Sequence, residues 1–137
     1  MTSQALVDTG PIVAILLESD NHHEACVEQL HQIRGPLLTC WPVLTEAVWL
    51  LRAYPQAIRK LLSSFHGRPF ELVALGETDL PGIAAILAKY QGLRIQLADA
   101  SLVHLANREG IEMMFTLDRR DFGVLRLAHG KRLRLIP

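Results

Sequence analysis

Residues 4–17 read QALVDTGPIVAILL, and the way this stretch folds decides how the rest of the chain is arranged. A short apolar run, Ala5-Leu6-Val7, ends at Asp8, and a second one begins after Thr9-Gly10-Pro11. The first run has the length of a buried strand. Gly10 permits a tight exit, and Pro11 suits the first turn of a helix, where a missing N–H costs nothing. Asp8 therefore belongs at a strand-to-helix junction. In open α/β sheets the carboxyl edge of the strands is where ligands bind. A carboxylate set there against an apolar strand needs a partner that offsets its desolvation. Two readings stay open on this stretch alone. Either Asp8 caps the helix, or it is one member of an acidic site that further carboxylates complete.

A chain of 137 residues, half of them apolar, suits one domain (1–137) with a sizeable core. Lys plus Arg equals Asp plus Glu at 14 each, so no overall field drives the chain to nucleic acid or membrane. A polyanionic partner must be held by a local basic patch or a bound cation. Cys26 and Cys40 lack metal-like or redox-motif spacing, which fits a reduced compartment. The Met1-Thr2-Ser3-Gln4 start has no cationic segment followed by a cleavable apolar stretch, and Ile12–Leu17 is too short to span a bilayer. The expectation is a cytoplasmic domain with no membrane partner.

Downstream, apolar runs of strand length alternate with helical patterns. Asn21 and Glu24 read as a capping box for a helix over 22–33. Its His22-His23-Glu24 start lacks the further ligands a zinc site needs. Leu37–Cys40 reads as a second strand, followed by a helix from Pro42 to Tyr54 with Val43, Ala47, Leu50 and Leu51 inward. Glu46 falls on that apolar stripe. A basic amphipathic helix over 56–65 directs Ile58, Leu61 and Leu62 to the core, and Phe70–Leu75 reads as a third strand. Asp79 reads as the cap of a helix that stops at Gly92. The next helix, 96–109, carries Asp99 in its first turn, in line with Leu102, Val103 and Ala106. A fourth strand, Met113–Leu117, ends as the first does, on a carboxylate, Asp118. Residues 119–123 follow as a turn or short helix, and Leu133–Ile136 closes the chain as an edge strand.

Strands alternating with helices imply a parallel sheet with right-handed crossovers, an α/β fold. Asp8 and Asp118 then end two strands, while Glu46 and Asp99 come from helices beside that edge. Each has a bland explanation: Asp99 favours the helix dipole, and a lone Glu46 can snorkel to water. Together they form an acidic pocket whose like charges repel in low dielectric. Hard divalent cations with oxygen ligands, Mg²⁺ or Mn²⁺, resolve that repulsion. Such ions polarise a phosphoryl oxygen and generate hydroxide for in-line attack.

The segments Leu6-Val7-Asp8-Thr9, Thr45-Glu46-Ala47, Leu97-Ala98-Asp99-Ala100 and Thr116-Leu117-Asp118-Arg119-Arg120-Asp121-Phe122 resemble, in this order, the acidic motifs of PIN domains. Length and motif order resemble the VapC-like toxins of type II toxin–antitoxin modules. The resemblance spans essentially the whole chain. It implies a three-layer α/β/α domain with a central, mostly parallel five-stranded sheet. It also implies a metal-dependent endoribonuclease with Asp8, Glu46, Asp99 and Asp118 as its acidic, metal-holding quartet. Thr9 or Thr116 would add a hydroxyl, and Asp121 would support the quartet. A small antitoxin and a homodimer through the helices carrying Trp49 and Leu61 are the partners it implies.

Three other classes compete. A haloacid-dehalogenase-like phosphatase has a second Asp two residues after its nucleophile, where this chain has Gly10. A receiver-like phosphoacceptor would carry its Asp on a later strand. A protein-binding module that keeps the acidic pocket is separated from a nuclease by cleavage with and without Mn²⁺. RNA would be gripped locally, by Arg119, Arg120 and Arg94 beside the acidic motifs, and that grip would weaken with salt. Trp41 and Trp49 lie beside apolar helix faces, where core or interface packing competes with base stacking.

Overall fold

The computed structural model describes residues 4–137, and the Met1-Thr2-Ser3 part of the start, read above as carrying no leader, lies outside them. The first apolar run is the central strand of a five-stranded sheet. β1 (Ala5–Val7) lies between β2 (Leu37–Thr39) and β4 (Met113–Phe115), with β3 (Phe70–Leu72) and β5 (Arg134–Ile136) at the edges. Every pairing is parallel, including that of the closing strand β5. Among the described residues seven α-helices complete a three-layer α/β/α arrangement. Burial explains the sequence of each strand. β1, β2 and β4 are apolar or Thr throughout and fully buried, as strands covered on both faces must be. The edge strands carry the exposed Glu71 and Arg134.

The strand order β3-β2-β1-β4-β5 reverses direction between β1 and β4. Successive strands run outward from β1 through β2 to β3, and the chain then crosses back to β4 on the other side. In open α/β sheets such a switch point leaves a crevice beyond the carboxyl ends of the two strands. The registers Leu6–Met114 and Val7–Phe115 bring the residues after both strands to that crevice together.

The helices are α1 (Thr9–Leu16), α2 (His23–Gln32), α3 (Trp41–Leu50), α4 (Pro55–Leu62), α5 (Leu80–Lys89), α6 (Leu97–Glu109) and α7 (Arg119–Val124). Several boundaries differ from the sequence reading. The Asn21–Glu24 capping box does not form; His22 is the cap residue, and its N–H bonds the Asp20 carboxylate at 2.8 Å instead. Helix α3 ends at Leu50 rather than Tyr54, because Arg52 and Tyr54 close tight turns on Trp49 and Leu51 before Pro55 opens α4. Helix α4 is shorter than 56–65. Leu50 and Leu62, expected inward, are half exposed, and the core beneath them is filled by Leu51 and Leu61. Strand β3 stops at Leu72, since its only neighbour β2 ends at Thr39 and the Ala74 carbonyl is taken by Arg108.

The largest departure concerns Asp79, whose side chain does not cap α5. One carboxylate oxygen accepts the Gly76 N–H at 2.8 Å, and the other meets His104 Nε2 at 2.8 Å and the Arg108 guanidinium at 3.0 Å. These donors, the Gly76 amide first, hold the Asp79 carboxyl well below the usual carboxylate range. A carboxylate only accepts, so His104 carries a proton on Nε2. The node ties the start of α5 to α6, and Gly82 gives the imidazole its room. A Cβ at Gly82 would lie 2.6 Å from His104 Nδ1. Alanine ordinarily stabilises a helix over glycine by about 1 kcal/mol. Here Gly82→Ala is expected to lower stability by about 1–2 kcal/mol, because the ring must abandon Asp79 to make space. In a His104→Ala background the same replacement should be neutral or stabilising. Urea midpoints of the four proteins in this cycle provide the check.

Candidate active site

The carboxyl edge of β1 and β4 opens into a groove of about 470 Å³. Asp8, Thr9, Glu46, Arg94, Asp99, Asp118 and Asp121 all line it, with Gly10, Leu50, Gln96 and Leu117 completing the walls. Five carboxylates thus converge from four parts of the chain. Asp8 follows β1 directly, and its N–H donates to the Phe115 carbonyl at 2.9 Å, so the sheet ladder itself fixes it. Asp118 stands three residues past β4, Glu46 in the middle of α3 and Asp99 in the first turn of α6.

Hydroxyls separate and orient these groups. Thr116 is buried beneath the groove; its Oγ1 donates to Asp8 Oδ2 at 2.9 Å and accepts the Asp118 N–H at 3.0 Å. Thr9 Oγ1 donates to Glu46 Oε1 at 2.7 Å, reaching from the start of α1 to the middle of α3. Local capping acts alongside. Asp99 Oδ2 accepts the Gln96 N–H at 3.0 Å, and Asp118 Oδ1 accepts the Asp121 N–H at 3.0 Å, so each also closes a helix start. Closing a helix start and lining the groove are therefore compatible for both residues. Each uses one oxygen for its helix and leaves the other for the groove.

The electrostatics follow from crowding. Burial pushes the Asp8 carboxyl up to about 6, with the Asp99 and Glu46 charges adding to the rise and the Thr9 amide and Thr116 hydroxyl opposing it. Burial also raises Asp99, followed by the charges of Glu46, Asp118 and Asp121. Asp121 is raised by desolvation and by Asp118.

The basic residues divide. Arg94 lines the groove with its backbone in the left-handed region (φ 55°) and is the only cation among the lining residues. Arg119 turns away and donates to the Leu135 and Pro137 carbonyls at the chain end. Arg120 is outside the lining set, although its charge reaches Asp121. His23 bonds the Ala14 carbonyl at 2.7 Å, apart from the groove. Trp41 and Trp49, for which the sequence left packing and base stacking open, are exposed at 59% and 62%, so neither packs in the core. A larger cavity of about 900 Å³ lies where α1, α2 and α4 meet, but Glu18 is its sole carboxylate. Chemistry is concentrated in the smaller groove.

A family profile described as PIN domain matches residues 5–126. The chain belongs to the PIN domain family. Among curated proteins, Ribonuclease VapC26 of Mycobacterium tuberculosis is 32% identical over 134 residues, covering 96% of this chain and 99% of that protein. Solved structures share the fold. The crystal structure of M. tuberculosis VapC20, a Sarcin-Ricin loop cleaving toxin, superposes with a TM-score of 0.77 at 16% identity, covering 86% of this chain and 92% of that one. A toxin–antitoxin complex from Klebsiella pneumoniae gives 0.67 at 18% identity, over 88% and 92%. VapBC2 of Rickettsia felis, bound to a fragment of promoter DNA, gives 0.68 at 11%, over 98% and 99%.

The oxygen donors of this PIN domain, carboxylates with hydroxyl support, suit a hard divalent cation in type and in charge, while Arg94 is a countercharge on the groove wall and not a ligand. Among the described residues no three His, Cys, Asp or Glu side chains already ring one point. The groove is wide enough for water to complete a coordination sphere. A raised folded-state carboxyl means that Asp8 favours folding fully below the unfolded value of 3.8, and that this contribution is lost as pH climbs through about 6. Without metal, Asp8→Asn is expected to stabilise the protein at pH 7.5 by about 2 kcal/mol, since Asn still accepts from Thr116 without the charge. At pH 4 the gain should nearly vanish. Denaturant midpoints in EDTA at the two pH values measure it.

Proposed function

We propose that this PIN domain is a Mg²⁺- or Mn²⁺-dependent endoribonuclease that acts in the cytoplasm as the toxin of a toxin–antitoxin pair. The observation that carries this reading is the convergence of Asp8, Glu46, Asp99, Asp118 and Asp121 on one groove at the sheet's switch point. RNA as substrate is supported by the near full-length similarity to a ribonuclease. An antitoxin partner is supported by structural neighbours that are toxin–antitoxin assemblies. A bound divalent ion would supply Lewis-acid polarisation of the scissile phosphate and a hydroxide nucleophile at neutral pH.

In this reading Asp8, Glu46, Asp99 and Asp118 hold the ion. Thr116 keeps Asp8 and Asp118 at a fixed separation, and Thr9 restrains the longer Glu46 side chain. Asp121 adds negative charge beside Asp118. Arg94 supplies the positive charge that the net-neutral chain otherwise lacks here, and it grips a phosphate next to the cleaved one. Arg119 braces the chain end, leaving Arg120 as the further cation near the acidic rim.

Single-stranded RNA should be cleaved with Mn²⁺ and left intact in EDTA. Asp99→Asn should lose roughly 100-fold or more in rate while keeping its α6 cap, since Asn can still accept from Gln96. Expression of wild type should arrest growth, and expression of Asp99→Asn should not. Soluble, folded protein that leaves RNA intact with Mn²⁺ would instead identify a binding module.

A further inference from the structure

The chain has two tryptophans, Trp41 and Trp49, and both lie on the outer side of α3 with well over half of their surface in water. Tryptophan is ordinarily well buried, so a pair left exposed on one helix needs a use. Spaced by two helical turns, with Thr45 between them, they share one face. With Pro42 from α3 and Leu97 and Ala98 from the start of α6, they form a mostly apolar trough of about 500 Å³. Its polar walls are Thr45, Glu46 and Gln96, and the last two are also walls of the acidic groove. The trough and the groove are thus adjoining halves of one furrow. Arg52 fixes the chemistry further. Its guanidinium lies 3.9 Å from the Trp49 ring centre and donates to the Trp49 carbonyl at 2.9 Å. One indole face is therefore covered by a cation, leaving the other for a flat π-system.

Resting on the nuclease reading, we propose that the Trp41–Trp49 face of α3 is a base-stacking ledge that holds unpaired nucleotides flanking the scissile phosphate. Aromatic platforms beside a backbone-tracking groove are how single-stranded nucleic acids are held without base-specific hydrogen bonds. Here Arg94 on the groove wall and Arg52 against Trp49 are the cations available to neutralise phosphates. The ledge selects substrates whose bases are already splayed, such as loops and single strands, because a paired base cannot reach an indole. It contributes to binding, and the carboxylates perform the cleavage.

The test is steady-state cleavage of a single-stranded oligonucleotide with Mn²⁺ by wild type, Trp49→Ala, Trp41→Ala and Trp49→Phe. Each Ala variant should raise KM by roughly 5- to 100-fold with kcat nearly kept, the range expected for losing one stacked base. Trp49→Phe should retain most of the affinity. A substrate with abasic sugars on both sides of the cleavage point should be bound equally poorly by wild type and the Ala variants. All indole emission comes from these two side chains, so RNA binding should also quench wild-type fluorescence. An unchanged KM in both Ala variants, with wild type active, would overturn the ledge alone. A wild type that cleaves nothing would overturn the nuclease reading and the ledge with it. Sedimentation velocity supplies the remaining outcome. If Trp49→Ala changes the oligomeric state and abasic flanks leave wild-type KM unaltered, the face joins two copies of the chain and the proposal is wrong.

Discussion

One hydroxyl, that of Thr116, holds the two sides of the groove together. It donates to Asp8 and accepts from the backbone of Asp118, so residues 108 positions apart and further become neighbours of fixed spacing. That bridge forms only in one register of β1 against β4, and a slip of a single residue would turn Thr116 to the opposite face. The sheet's central pairing and the site's geometry are therefore the same constraint. The order of the flanking strands, the crossover from β3 to β4 and the placement of α1 all serve to put Asp8 and Asp118 at one switch point.

The site is built against its own stability. Asp8 is buried among other carboxylates, and its ionisation in the free protein opposes folding. Asp79 has the reverse logic at the other end of α6. It is surrounded by donors, so its ionisation favours folding, a contribution present above the ordinary carboxylate range and lost as pH falls through the lowered value. Helix α6 thus carries a strained N-terminus that bears Asp99 and a C-terminal half secured by His104 and Arg108. Strain is tolerated at a functional site when the surrounding structure determines it firmly.

Most of this was legible in the sequence because it rests on local signals. The runs ending at Asp8 and Asp118, the Pro and Gly punctuation and the apolar period of α6 are each fixed by a few adjacent residues, and they placed the five strands and the acidic edge. Contacts distant in sequence were harder to see. The Asp79 node needs His104 and Arg108 from another helix, and an Asp before Pro81 has an ordinary reading as a cap. The only trace was the pair His104 and Arg108 at one-turn spacing on a buried helix. Periodicity points Leu50 and Leu62 inward, but it identifies a helix's apolar side and cannot say how much of it the sheet covers. Arg119 looked free to meet RNA because the chain end it braces lies 16 and 18 residues away.

The central claim is that these carboxylates form a single divalent-cation site whose charge crowding the cation relieves. Its most direct test is the number of protons released when Mn²⁺ binds, obtained by calorimetry at one pH in buffers of differing ionisation heat. With Asp8 near half-protonated at pH 6, binding there should release about half a proton or more per ion. At pH 8 the release should fall close to zero. Tight binding with no proton release at pH 6, or no binding at either pH, would contradict the account.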